Sequence, residues 1–368
     1  MTPQTDVALA SLCTMGVGGP ARWFVEAHRE SDVADALDWA AARDVHVYIL
    51  GGGSNVVIAD EGLDGLVIKV DIRGVDRSNR ERDAVLAVGA GEPWDPMVEA
   101  TVRDNLAGLE CLSGIPGCVG GTPIQNVGAY GQDVSGSISR VWAIERRTRR
   151  ALVLSRAECR FGYRTSRFKH EDADAFVVTR VEYSLAPGGS PTVAYADVIH
   201  YFQELGTAAP SLLDVREAIL TIRRRKGMVI EPANPARRSC GSFFVNPVVS
   251  RERYRTVQAL VGGEVPHYDV DATRVKIPAA WLIERAGFAK GTSRDVIGIS
   301  PFQAQAIVNH GGATAIDVLT LAGDVKTVVW EKFGISLVPE PVFVGFRSEQ
   351  LRALQHDCSE HVMDGTGH

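Results

Sequence analysis

The sequence lacks the usual marks of metal, nucleic-acid and membrane proteins. Its six cysteines, Cys13, Cys111, Cys118, Cys159, Cys240 and Cys358, form no CxxC pair, and its histidines form no HExxH. No metal site is therefore expected, and a reducing compartment is the simplest reading. There is no basic excess either: the formal charge of −6 suits a soluble protein and argues against nucleic acid or an acidic membrane surface as main partner. No apolar run is long enough to cross a bilayer, and Met1 to Gly16 has neither a basic start nor a continuous apolar stretch. No membrane contact and a cytoplasmic location are expected. Repeats, low-complexity tracts and a Walker motif are also absent.

What remains is ordinary globular composition, 45% hydrophobic and 23% charged over 368 residues, enough for two or three domains. Ser31 has the chemistry of a helix N-cap, followed by Val33, Ala36, Leu37, Ala40 and Ala41 at helical spacing. The β-branched stretches Val45 to Leu50, Val56 to Ile58 and Leu66 to Val70 read as strands. Further strands are expected at Ala84 to Val88, Val141 to Glu145, Ala151 to Leu154 and Ala175 to Leu185, with a helix opened by Pro93 or Pro96. Leu213, Val215, Ala218, Ile219 and Ile222 mark a helix ending in Arg223 to Lys226, and the Pro- and Gly-containing stretch to Gly241 reads as a boundary. Beyond it, helices are expected at Ala279 to Arg285 and from a Thr314 cap to about Phe333, then a strand at Val342 to Gly345. The polar stretch from Ser348 to His368 is expected to be peripheral.

Two glycine-rich stretches carry the chemistry. Gly51, Gly52, Gly53, Ser54 and Asn55 follow an expected strand, where residues without Cβ let several backbone N–H groups converge on a phosphate. The Rossmann spacing fails, because Val56 stands at the third glycine position and a strand follows instead of a helix. Taken alone, this stretch reads equally well as a tight β-turn with no ligand. The second stretch, Gly114 to Gly131, packs six glycines among apolar residues, which lets backbone approach a flat ligand; a rigid irregular core loop is the competing reading. Cys118 within it could attach a flavin covalently, but a cysteine in such a place more often fills space.

LGGGSN at Leu50 to Asn55 and GIPGCVGGTPIQNVGAYG at Gly114 to Gly131 resemble the UDP-N-acetylenolpyruvoylglucosamine reductases, which have the vanillyl-alcohol-oxidase or PCMH type of FAD-binding fold. The resemblance continues through Phe161 to Lys169 (FGYRTSRFK), Arg223 to Met228 (RRRKGM), Cys240 to Pro247 (CGSFFVNP), Ala279 to Gly291 (AAWLIERAGFAKG) and Pro339 to Gly345 (PEPVFVG). An ordered set of this kind is far more specific than any one member.

The resemblance implies an α+β protein: a two-subdomain FAD-binding module, residues 1–75 and 76–222, then a substrate-binding α+β domain, residues 223–345, and a peripheral tail, residues 346–368. It also implies non-covalent FAD, NADPH as co-substrate, and reduction of the enolpyruvyl ether of UDP-N-acetylglucosamine to UDP-N-acetylmuramate, by a protein expected to be a monomer. Hydride addition to the terminal enolpyruvyl carbon leaves negative charge on the neighbouring carbon and carboxylate, which calls for a cation and a proton donor. By resemblance these are Arg164, whose fixed charge holds the carboxylate, Glu340, which acts with it, and Ser242, the proton donor. A serine after glycine is otherwise commonly a turn or cap residue, and a generic arginine a surface ion pair.

The same resemblance assigns Gly51, Gly52, Gly53, Ser54, Asn55, Ile115, Pro116, Gly117, Gly120, Gly121, Ile124, Gly128 and Arg223 to FAD. It assigns Tyr163, Tyr195, Lys226, Asn246, Lys290 and Gln303 to substrate. Two rival readings remain: a flavin oxidase of the same fold acting on an alcohol or sugar, and a binding protein that kept the fold without turnover.

Overall fold

The computed structural model describes residues 1–80 and 82–355. Its contacts divide the chain into two units that interleave in sequence. The first comprises Met1–Ala8, Pro20–Ser54 and Leu63–Asn234; the second comprises Leu9–Gly19, Asn55–Gly62 and the chain from Pro235 onward. The linear division at 222/223 differs from this at two places: Arg223 and Lys226 fall in the first unit, and two early segments fall in the second.

The first unit carries two large sheets and a small hairpin of Gly128–Ala129 with Gln132–Asp133. In one, Leu63–Val70 lies between Pro20–Ala27 and Val47–Leu50, parallel to both, and Gln4–Ala8 adds an antiparallel edge. Leu66, Val67 and Ile68 are all buried, as expected of a central strand covered on both faces. Helix α1 (Glu30–Ala41) presents Val33, Ala36, Leu37 and Ala40 to the same core. It starts earlier than Ser31 would set it. Arg29 is the N-cap residue, because the Asp32 carboxylate accepts from the backbone amides of His28 and Arg29.

The other sheet is antiparallel, in the order Ala151–Ser155, Ile138–Glu145, Phe176–Pro187, Asp83–Gly89, Val75–Arg80. Helix α2 (Trp94–Arg103) follows the strand Asp83–Gly89 in the chain, with Pro93 as N-cap. Helices α3 (Ala196–Leu205) and α4 (Leu212–Arg225) share a cluster of Cys111, Tyr130, Val198, Phe202, Val215, Ile219 and Ile222. Because Val215, Ile219 and Ile222 face that cluster, α4 carries its C-terminal arginines into the first unit. Leu213, counted above on the apolar face, is exposed, and Leu212 is the buried residue.

The second unit is built on α7 (Ala315–Phe333), which follows α5 (Arg251–Val261) and α6 (Ala279–Arg285) in the chain and buries Val318, Leu321, Ala322, Val325 and Val329. Met15, Val17 and Val57 from the early segments join its core. Val342–Val344 pairs in parallel with Val56–Ile58. The start of the segment expected to be peripheral is packed: Leu354 is buried, Phe346 and Leu351 lie against the same core, and Lys326 donates to the Leu354 carbonyl. Residues 356–368, with Cys358, lie outside the described residues. Among the described residues no helix is long and apolar enough to cross a membrane.

Candidate functional site

The two glycine-rich stretches meet in the first unit. A Cβ on Gly52 would lie 2.6 Å from the Gly117 Cα, and one on Gly117 would lie 2.6 Å from the Ser54 Oγ. Real Cβ contacts do not reach that distance, so Gly52 permits a backbone-to-backbone approach, while Gly117, with φ +112°, combines a backbone that favours glycine with close contact to the Ser54 side chain. Gly51 and Gly121 face open space instead. Strand Val47–Leu50 delivers the first turn, and α2 fixes the second: the Trp94 amide donates to the Gly117 carbonyl at 3.0 Å and its indole to the Leu112 carbonyl at 3.0 Å.

Arg223 borders this cradle. It is 6% exposed, donates Nη2 to the Met228 carbonyl at 2.9 Å, and leaves its buried Nε with no hydrogen-bond partner. Burial lowers its pKa, while Tyr130 and Asp95 favour its charge. A buried guanidinium N–H left over next to a glycine turn is a donor waiting for an acceptor. Cys118 is half-buried within the second stretch, and burial raises its thiol pKa although Arg73 and Lys69 oppose the shift.

Arg164 lies on the tight turn Gly162 to Thr165, whose ends exchange backbone hydrogen bonds at 3.0 and 3.3 Å. The Asn126 side chain donates to the Gly162 carbonyl at 3.0 Å, and the Ser166 hydroxyl donates to the Ile124 carbonyl at 2.6 Å. The second glycine stretch thus holds the Arg164 turn from both sides. Arg164 itself has φ +55°, and a Cβ on Gly128 would sit 3.4 Å from its Nη1. Its guanidinium is 5.8 Å from the Tyr163 ring centroid, and that ring is half exposed. The buried Thr165 Oγ1 beside it has no partner.

Tyr195 is the N-cap residue of α3 and meets Tyr130 edge to face at 5.5 Å. Lys226, the C-cap residue of α4, pairs with Asp197 and sits 5.7 Å from the Tyr130 ring. Tyr130 therefore joins Tyr195, Lys226 and Arg223, a role its place in a glycine-rich run did not reveal. Its φ of +50° marked it only once the backbone was visible.

In the second unit, Ser242 and Glu340 are brought together by backbone pairing. The Glu340 amide donates to the Phe243 carbonyl at 2.8 Å, and the Val245 amide to the Val338 carbonyl at 2.9 Å. Buried Phe243 and Phe244 anchor this pairing. Asn55, from the end of the first glycine motif, donates its side-chain amide to the Glu340 carbonyl at 3.2 Å. Asn246 Oδ1 accepts from the Ala279 amide at 2.9 Å, at the start of α6, and from Gln305 Nε2 at 3.3 Å, so both its lone pairs are used and the side chain keeps only a donor role toward any ligand. Lys290 lies 3.5 Å from Glu284, and Gln303 Nε2 is buried without a partner.

A model of FAD-binding domains matches residues 21–143, which include both glycine contacts, and the C-terminal domain model of UDP-N-acetylenolpyruvoylglucosamine reductase matches residues 232–344. The chain is 44% identical over 349 residues to the UDP-N-acetylenolpyruvoylglucosamine reductase of Thermobifida fusca, covering 92% of this chain and 97% of the relative. The chain belongs to the UDP-N-acetylenolpyruvoylglucosamine reductase family. A reductase of the same name from Nocardia farcinica is 45% identical over 357 residues, covering 94% of this chain and 91% of that one. The crystal structure of the reductase from Thermus caldophilus shares the fold, with a TM-score of 0.62 at 24% identity over 93% of this chain and 99% of that one.

As a member of this family the protein is an α+β flavin oxidoreductase with FAD as cofactor. The residues present fit that cofactor: two turns bare of side chains, open space at Gly51 and Gly121, and an unpartnered buried N–H on Arg223.

Proposed function

We infer that the protein uses FAD and NADPH to reduce UDP-N-acetyl-3-O-(1-carboxyvinyl)-glucosamine to UDP-N-acetylmuramate, a step of peptidoglycan precursor synthesis. The observation that carries this is identity above 40% to reductases of that name along more than nine-tenths of the chain. FAD held by the chain would supply the chemistry of hydride transfer between NADPH and the enolpyruvyl double bond.

The chain's own residues then have separable tasks. Gly51, Gly52, Gly53, Ser54, Ile115, Pro116, Gly117, Gly120, Gly121, Ile124, Gly128 and Arg223 hold the cofactor, with Asn55 bracing the Glu340 loop. Arg164 holds the substrate carboxylate through its planar guanidinium, which can meet both carboxylate oxygens, and the absence of a side chain at Gly128 leaves room for it. Glu340 acts with Arg164 as charge develops. Ser242 gives its proton to the substrate carbon next to the carboxylate; a bare hydroxyl is a weak acid, so it works only against a strongly basic intermediate. Lys226 exchanges Asp197 for an anionic group of NADPH or substrate. Tyr163, Tyr195, Asn246, Lys290 and Gln303 complete the UDP-sugar contacts, Asn246 and Gln303 as donors.

Anaerobic titration tests this reading. NADPH should bleach the flavin spectrum, and only the enolpyruvyl UDP-sugar should restore it, with UDP-N-acetylmuramate as product. In Ser242→Ala the first half should stay near wild type while the second slows by about a hundred- to ten-thousand-fold, as for loss of a general acid. Equal second-half rates would remove Ser242 from the assignment, and a colourless protein that takes up no FAD would overturn the function.

A further inference from the structure

Asp95 stands in the first turn of α2, where an acid is ordinarily read as compensation for the helix dipole. Its carboxylate is used differently. Oδ1 accepts from the Gly114 amide at 2.6 Å and from Arg216 Nη1 at 2.7 Å, while Oδ2 accepts from Arg216 Nη2 at 3.0 Å. Arg216, on α4, is 7% exposed. One carboxylate thus ties α2, α4 and the first residue of the second glycine-rich stretch.

Gly114 has little room to move. Its φ is +73°, and a Cβ there would lie 2.8 Å from Leu220 Cδ2 and 3.2 Å from Arg223 Nε. The atom it presses on is the same Nε that lacks a partner. Trp94, one residue earlier on α2, donates to the Leu112 and Gly117 carbonyls, so the two residues at the head of α2 hold both ends of the Gly114 to Gly117 turn and the chain just before it.

We propose that Asp95 and Arg216 are a positioning pair that sets the Gly114 to Gly117 turn, and with it Arg223, for FAD. The proposal rests on the FAD-dependent reading above. Burial alone would raise the Asp95 carboxyl, but Arg216, the Gly114 amide and the charge of Arg223 hold it below its ordinary value. The carboxylate therefore remains an anion at neutral pH and keeps both bonds. A bidentate guanidinium pair fixes orientation as well as distance, which a lysine in place of Arg216 could not reproduce.

The test is FAD affinity of the full-length apoprotein, read by quenching of flavin fluorescence on titration. Asp95→Ala removes the acceptor for Gly114 and should weaken FAD by about ten- to a hundredfold, the range of a lost charge-assisted hydrogen bond. Asp95→Asn keeps an acceptor oxygen, and Arg216→Lys keeps the charge, so both should fall between Asp95→Ala and wild type. With FAD saturating, the KM for the UDP-sugar should stay at the wild-type value.

Val141→Ala, a truncation in the core of the antiparallel sheet, serves as a control for general loss of stability and should bind FAD within about twofold of wild type. Wild-type affinity in Asp95→Ala would overturn the proposal. So would equal weakening in Val141→Ala at the same loss of thermal midpoint. If Asp95→Ala does not fold, the order of Asp95→Asn and Arg216→Lys against Val141→Ala decides. Absence of FAD binding by the wild type would instead overturn the function.

Discussion

Arg164 occupies left-handed backbone, a conformation that costs a non-glycine residue about 1–3 kcal/mol and persists where surrounding bonds enforce it. Asn126, Ser166 and the reciprocal Gly162 to Thr165 bonds provide that enforcement. Replacing Arg164 by Gly would relieve the strain but add freedom to the unfolded chain, two effects of opposite sign and similar size. Arg164→Gly should therefore unfold within about 1 kcal/mol of wild type in urea. Its substrate half-reaction should fall by about a hundredfold or more, as for a lost charge-stabilising donor. An active Arg164→Gly enzyme would show that the guanidinium is not what the strained backbone is for.

The residues that carry a motif were legible at this scale, because Arg164, Ser242 and Glu340 sit inside short ordered strings. Asp95, Arg216 and Tyr130 were not. Their roles come from contacts between distant segments, and nothing in the first turn of a helix distinguishes an acid that faces solvent from one that reaches a loop amide.

Elements were legible where periodicity was long. The helices α4 and α7 follow from apolar spacing, and the strand expected at Leu66 to Val70 is the second half of the longer Leu63–Val70, whereas α3 and α5 escaped it, since each buries only two residues. Cap chemistry was partly hidden for the same reason. Thr314 forms the expected capping box with Asp317, but the helix start is also served by Asp60, whose two oxygens accept from the Ala315 and Ile316 amides at 2.7 and 3.0 Å. No linear pattern reports a cap supplied from some 250 residues upstream. Thr314→Ala should cost about 1 kcal/mol in urea unfolding, and Asp60→Ala should cost at least as much, since it removes two acceptors and a charge that favours the helix N-terminus. A smaller loss in Asp60→Ala would make Thr314 the dominant cap.

Across the whole molecule, buried thiols set an alkaline limit. Burial pushes Cys13 up to about 11, and Cys111, Cys159 and Cys240 up to about 12, with Glu110 adding to the shift at Cys111. In the unfolded chain a thiol ionises near 8.5. A group whose folded pKa is raised contributes its full stability below the unfolded value and loses it as pH rises toward the folded one. The thermal midpoint should therefore fall from about pH 8.5 upward. Cys159→Ala, which removes one such group, should lower the midpoint at neutral pH and flatten the decline above it. Parallel slopes for the two proteins between those pH values would show that other groups set the limit.

The interleaving of the two units bears on how the chain is made. Synthesis runs from the N-terminus, so Leu9–Gly19 and Asn55–Gly62 leave the ribosome long before the chain from Pro235 onward that completes their unit. During that interval Val56-Val57-Ile58 is an apolar β-branched strand whose partner, Val342–Val344, has not yet been translated. An unpaired strand of this composition is a template for wrong pairing. A nascent chain that stalls or terminates early would therefore expose a sticky edge even after its first unit had closed, which makes the last hundred residues a safeguard against aggregation as well as a part of the enzyme.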